Sequence, residues 1–225
     1  MSAGWASAFP HKPASDAVIA VCAAWDFYAS RHRSHFNRKT HEPQLTKHLC
    51  CYISRVVAPQ LGLLGTWAAE AVIGDLDLLS GAVTEERRTD ILYGWNDDNA
   101  QQKMQLVFEF KRLRATKKDR DHYLGEGGLQ RFVSGIYSHG EERALMVGIM
   151  LDETAKILPP LKAEFASPLR ATALDLISSN PSAPLIQPAT FAQADFDSLH
   201  KRLPPKGPAK GSIQVTHMFL QFAYP

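Results

Sequence analysis

RRTDILYGW (residues 87–95), NDDNAQQ (96–102) and KMQLVFEFKRL (103–113) are two apolar runs either side of a polar turn. Their reading decides the fold. Each run alternates with a period of two, as strands do, and the Asn- and Asp-rich turn over 96–103 suits a hairpin. Asp90 opens the first strand in this reading, and Glu109 and Lys111 lie inside the second. Alternation puts Gln105, Val107, Glu109 and Lys111 on one face and Phe108, Phe110 and Arg112 on the other. Charges are rarely buried unless they are paired or hold a metal, so the face carrying Glu109 and Lys111 is a candidate site.

Phosphodiester hydrolysis with a divalent metal uses such a set. Two carboxylates, Asp90 and Glu109, suit Mg²⁺, a hard cation that takes oxygen ligands, with Mn²⁺ an alternative. A lysine beside them, Lys111, can orient or help deprotonate the attacking water and stabilise developing negative charge. The competing reading is a solvated Glu-x-Lys pair on an edge strand, worth under about 1 kcal/mol, with Asp90 serving a turn.

Asp90, a spacer, then Glu109-x-Lys111 on an apolar strand resembles the PD-(D/E)XK nuclease superfamily. Thr89 stands where that pattern usually has proline. The resemblance implies an α/β fold with a restriction-endonuclease-like αβββαβ core, a central mixed sheet flanked by helices. Here the core would carry an extra N-terminal helix and C-terminal strand. It further implies that the Phe110 carbonyl adds a metal ligand and that a helix glutamate, Glu42, points into the site. Glu70 is a further candidate metal carboxylate. The expected activity is a Mg²⁺-dependent endonuclease, on DNA rather than RNA, in restriction or phage defence. The alternative is a nuclease-like subunit without turnover that binds nucleic acid or serves assembly.

At 225 residues the chain suffices for one full core with additions, and its 45% hydrophobic and 21% charged composition is ordinary. A net charge of +2 excludes a generally basic nucleic-acid binder. Positive charge is clustered instead, at Arg31, Arg33, Arg38 and Lys39, and at Lys111, Arg112, Arg114, Lys117, Lys118 and Arg120, where phosphate backbones would be attracted. Arg112, Arg114, Lys117, Lys118, Gln130 and Arg131 are the nucleic-acid candidates. Cys22, Cys50 and Cys51 have neither disulfide nor metal spacing; they read as reduced, buried thiols of a cytoplasmic protein.

Along the chain, 1–40 read as a tail and an N-terminal helix, and 41–225 as the nuclease-like domain. The apolar run 17–25 is too short to span a bilayer, so no membrane role is expected. Its helix starts at Ser15, with Ser15 or Asp16 as cap, and ends near Arg31. Glu42 and Pro43 open a second helix, with Leu45, Leu49, Ile53 and Val56 at helical spacing. Trp67, Ala69, Ala71 and Ile73 alternate as the first strand. Leu129, Phe132, Val133 and Ile136 mark one helix ending near Gly140, and 144–151 a buried strand. A helix from Asp152 to about Leu169 is interrupted at Pro159 and Pro160. The last strand, Ile213–Phe222, joins the sheet edge or a partner. His200, Lys201 and Arg202 are candidates to line a groove, while His217 reads as a satisfied core histidine. With no recognition domain evident, a partner subunit or homo-oligomer is expected to supply targeting.

Overall fold

In the computed structural model, which describes residues 9–77, 79–99, 102–204, 206–208 and 210–224, the quoted stretch forms a long hairpin. Strand β2 (Val83–Asp97) turns into β3 (Gln102–Leu113), and the two pair antiparallel from Asp97↔Gln102 to Ile91↔Phe108. Asp90 therefore lies well inside its strand, not at its start. The strand extends upstream because β1 (Thr66–Leu76) pairs with most of it, from Thr66↔Gly94 to Leu76↔Val83.

Beyond Phe108, strand β3 changes neighbour. Residues Phe108 to Leu113 pair parallel with β4 (Arg143–Met150), which pairs parallel with β6 (Ser212–Gln221); β5 (Phe196–Lys201) closes the far edge, antiparallel to β6. The result is one six-stranded mixed open sheet in the order β1-β2-β3-β4-β6-β5, with helices on both faces. The last strand is thus internal to the sheet. The expectation that it joins an edge fails because β5, which the sequence reading did not include as a strand, pairs outside it.

Alternation along β3 assigns the faces. Leu106, Phe108 and Phe110 join Leu145, Val147 and Ile149 in an apolar cluster covered by α1 (His11–Ala29), α2 (Glu42–Tyr52) and α3 (Ala58–Leu61). Val107 and Leu113 join Met146, Val215 and Phe196 in a second cluster, under α4 (Lys117–Leu124), α5 (Leu129–Val133) and α6 (Thr154–Phe165). A short helix α7 (Pro168–Ala173) follows. Glu109 and Lys111 share the second face and interrupt its apolar row.

Several boundaries differ from the sequence reading. Helix α1 begins at His11, capped at Pro10 rather than Ser15, because Pro13 falls in the first turn, where a missing N–H costs nothing. Residues 1–8 of the expected tail lie outside the described residues. A π turn at Ile53–Val57 joins α2 to α3, which ends at Gly62 in the left-handed region, φ 64°. After β3 there are two short helices, not one: a Cβ at Gly128 would stand 2.2 Å from the Tyr123 carbonyl oxygen, so the chain folds back sharply there. Helix α6 runs through Pro159 and Pro160 unbroken. Their partner carbonyls, on Ala155 and Lys156, belong to exposed residues, where water can take over the lost bonds. Cys51 is exposed, unlike Cys50. Among the described residues no helix is long and apolar enough to cross a membrane.

Gly148, in the middle of β4, is where β3 and β6 crowd in. A Cβ there would lie 2.5 Å from Phe219 Cδ1 and 2.7 Å from Leu113 Cδ1. Gly148→Ala is expected to cost about 1–3 kcal/mol through overpacking, read by urea denaturation. An unchanged midpoint would show that these two side chains yield freely.

Candidate active site

The fork where β3 leaves β2 builds the site. On the side of β3 that faces β2, pairing stops at Phe108, and the amides of Phe110 and Arg112 have no strand to donate to. Two carboxylates take that place: Phe110 N–H donates to Asp90 Oδ2 at 2.7 Å, and Arg112 N–H to Glu42 Oε2 at 3.0 Å. Glu42 arrives from the first turn of α2, behind Pro43, where a carboxylate also complements the helix dipole.

Both carboxylates are thereby held beside Lys111. Its Nζ lies 2.8 Å from Glu109 Oε1, 3.0 Å from Glu42 Oε1, 3.9 Å from Asp90 Oδ2 and 2.7 Å from the Phe110 carbonyl oxygen. The Lys111 and Glu109 side chains are only 6% and 2% exposed, so this is not the solvated surface pair weighed above. Asp90, Glu109, Lys111 and Glu42, all named from the sequence, meet at one point.

Electrostatics follow from that burial. Desolvation raises Asp90 to about 6 and Glu109 to about 7, with a neighbouring carboxylate adding to each and Lys111 opposing. Desolvation alone would lower Lys111, but Glu109, Glu42 and Asp90 together push it well above its ordinary value. In this state Lys111 is a fixed ammonium. A held ammonium suits orienting a water and stabilising charge.

Glu109 has a second cationic neighbour. Arg131 Nη1 lies 3.7 Å from Glu109 Oε1, while its Nε donates to the Glu126 carbonyl at 2.9 Å and Nη1 also donates to the Tyr137 hydroxyl. Tyr137 in turn donates to the Arg88 carbonyl at 2.6 Å. Gln130, Arg131, Arg87, Arg88 and Tyr137 line an open cleft of about 660 Å³ beside Glu109. Sequence reasoning missed Arg88 and Tyr137. Arg88 had a signal, since it sits two residues before Asp90 on the same strand; Tyr137 had none, because a non-helical turn delivers it.

The remaining candidates divide. Glu70 has φ 50°, lies between Ala69↔Ile91 and Ala71↔Thr89 in an unshifted β1–β2 register, and pairs with Lys47 Nζ at 2.9 Å instead of joining the oxygens around Lys111. Arg112 donates from Nη2 to the Arg38 carbonyl at 2.5 Å. Arg114 and Lys117 are partly neutralised by Asp119 at 3.7 Å and Asp121 at 2.6 Å, acids interleaved in the same basic run; Lys118 is exposed. His200 and Arg202 do not line a groove. His200 is fully buried between the Leu174 carbonyl and Ser198, and the Arg202 guanidinium holds the carbonyls of Phe132, Tyr137, Ser138 and Glu141. Lys201 is exposed at the end of edge strand β5. His217 is satisfied by Tyr123 at 2.9 Å and Ser198 at 2.8 Å, as a core histidine should be.

Whether a divalent cation suits these residues turns on the oxygens. Glu109 Oε2 is buried and has no hydrogen-bond partner, an uncommon state for a carboxylate oxygen, and the Phe110 carbonyl and Asp90 lie against the same ammonium. Among the described residues no three His, Cys, Asp or Glu side chains form a metal-holding group by themselves. The fit is therefore two carboxylates and a carbonyl, with water completing the shell, as Mg²⁺ accepts. Compared with family models, with curated proteins and with solved structures, the chain matches none.

Proposed function

We propose that this chain is a Mg²⁺-dependent endonuclease of the PD-(D/E)XK kind, acting on nucleic acid and on DNA in preference to RNA. The observation that carries this is the convergence of Asp90, Glu109, Lys111 and Glu42 at the β2–β3 fork with one Glu109 oxygen buried and unpartnered. The order α2, β1, β2, β3, α4 and α5, β4, with β4 parallel to β3, supports the αβββαβ core.

Asp90, Glu109 and the Phe110 carbonyl would hold the cation, which when bound supplies Lewis acidity toward a phosphate oxygen and a bound water. Lys111 places a fixed positive charge beside that oxygen set, where phosphate charge develops. Glu42 holds the ammonium from the opposite side and fixes its position. Arg131, anchored to Tyr137, presents a second cation for the phosphate.

Asp90→Asn keeps an acceptor for the Phe110 amide while removing a metal-ligating charge. Cleavage of plasmid and of single- and double-stranded DNA and RNA, with Mg²⁺ and with EDTA, is expected to fall at least about 100-fold in this variant while binding persists. Equal Mg²⁺-dependent nicking by pure Asp90→Asn protein would place the activity elsewhere. Binding without cleavage in the unaltered protein would favour a nuclease-like subunit without turnover, a reading supported by an ammonium already enclosed by three carboxylates.

A further inference from the structure

The basic segment 31–41 has no part in the cluster at Lys111, yet the fold builds it into a defined cleft next to it. Phe36 anchors the segment by stacking on Tyr28, centroids 4.6 Å apart, and packing against Trp25 at 5.4 Å. Asn37 ties it into a turn: its Nδ2 donates to the carbonyls of Arg33 and Ser34 at 2.8 and 3.0 Å, and its Oδ1 accepts from Lys39 N–H at 2.9 Å. Arg38 is clamped at both ends, its guanidinium donating to the Leu151 carbonyl and its own carbonyl accepting from Arg112.

An open cleft of about 600 Å³ results, lined by His32, Asn37, Arg38, Lys39, His41 and Gln44 among others, with no carboxylate side chain in its wall among the described residues. His41 directly precedes Glu42, and Arg112, whose side chain holds Arg38, is the residue whose amide Glu42 accepts. A chain of contacts thus runs from Arg131 through Glu109, Lys111, Glu42 and Arg112 to Arg38. A cleft adjoins each end of it, the one at Arg131 lined by acidic Glu86 and Glu126 as well as by arginines.

We propose that the His32–Gln44 cleft is a second phosphate-binding site, occupied by the nucleic-acid strand that continues beyond the reacting phosphate. This deepens the proposed function and rests on it for the identity of the ligand. The chemistry selects phosphodiesters: two cations, two imidazoles and the side-chain amide of Gln44 offer donors at several points, and no described residue of the wall is acidic. Such an occupant would touch sugar and phosphate rather than base edges, so this cleft adds affinity and register without sequence preference.

Lys39 is the residue to alter, because it is exposed and holds up nothing. Binding of labelled 20-nucleotide single-stranded and duplex DNA is measured by anisotropy, in EDTA, over a salt series, in the full chain with Asp90→Asn as background. Adding Lys39→Glu with His41→Ala is expected to weaken binding about tenfold or more and to lower the slope of log K against log salt by roughly one, the loss of about one phosphate contact. Unchanged affinity and slope would overturn the proposal. So would inorganic phosphate that saturates this cleft, followed by the His32 and His41 resonances, without displacing the oligonucleotide. Mg²⁺-dependent cleavage by the unaltered chain is scored separately, so failure of this site and failure of the nuclease reading are distinguishable.

Discussion

Lys111→Met is expected to unfold at markedly lower denaturant than the unaltered protein at pH 8, by about 3–5 kcal/mol, and to lose cleavage at least about 100-fold. The stability figure is that for removing one partner of a buried ionic group, and three carboxylates lose their common counter-charge here. The loss should shrink toward pH 5, since Asp90 and Glu109 already sit near 6 and 7 and take up protons more readily once the ammonium is gone. Denaturant midpoints at the two pH values check both statements. A Lys111→Met protein as stable as its parent at pH 8 would mean that the acids are compensated from elsewhere.

Glu109→Gln has the opposite sign. A carboxyl whose folded pKa is raised binds its proton more tightly in the folded than in the unfolded chain. Its contribution therefore favours folding at low pH and is lost as pH climbs from the unfolded value near 4.5 toward about 7. Above that window the folded protein bears a buried charge that Lys111 only partly offsets. The glutamine variant, melted in metal-free buffer, should be the more stable of the two at pH 8, by on the order of 2–3 kcal/mol or roughly 4–10 °C, and the difference should vanish near pH 4.5. Glu141, also raised to about 7 by burial, titrates in the same window in both proteins and cancels in the comparison. The same variant should fail to cleave. A variant less stable at every pH would show that the Glu109–Lys111 attraction outweighs the cost of burying the charge.

Much of the site was legible because period-two alternation needs no tertiary knowledge: Glu109 and Lys111 interrupt an apolar face whatever that face packs on. Glu42 was legible only as a residue type in a helix's first turn; its reach to Lys111 and to the Arg112 amide depends on how α2 is set against the sheet. Glu70 was legible only as a metal carboxylate or a surface residue, because its left-handed backbone and its pairing with Lys47 depend on how α2 is set against β1. Strand β5 was hidden because four of its six residues, Phe196 to Lys201, are polar, and their burial comes from the Ser198, His200 and His217 network and from Asp197 holding Thr216 and Gln214. Arg202 misled for the same reason. An arginine coordinating four carbonyls looks, in sequence, like any exposed base.

Two acids in this protein finish a seam that backbone leaves open. Whoever wishes to silence the chemistry while keeping the scaffold must leave something at 42 and 90 that still accepts a hydrogen bond: the amides of Phe110 and Arg112 go begging after alanine, whereas asparagine or glutamine keeps them stitched. Architecture and the proposed reactivity share the same atoms at this fork, and a blunt truncation would report on both at once.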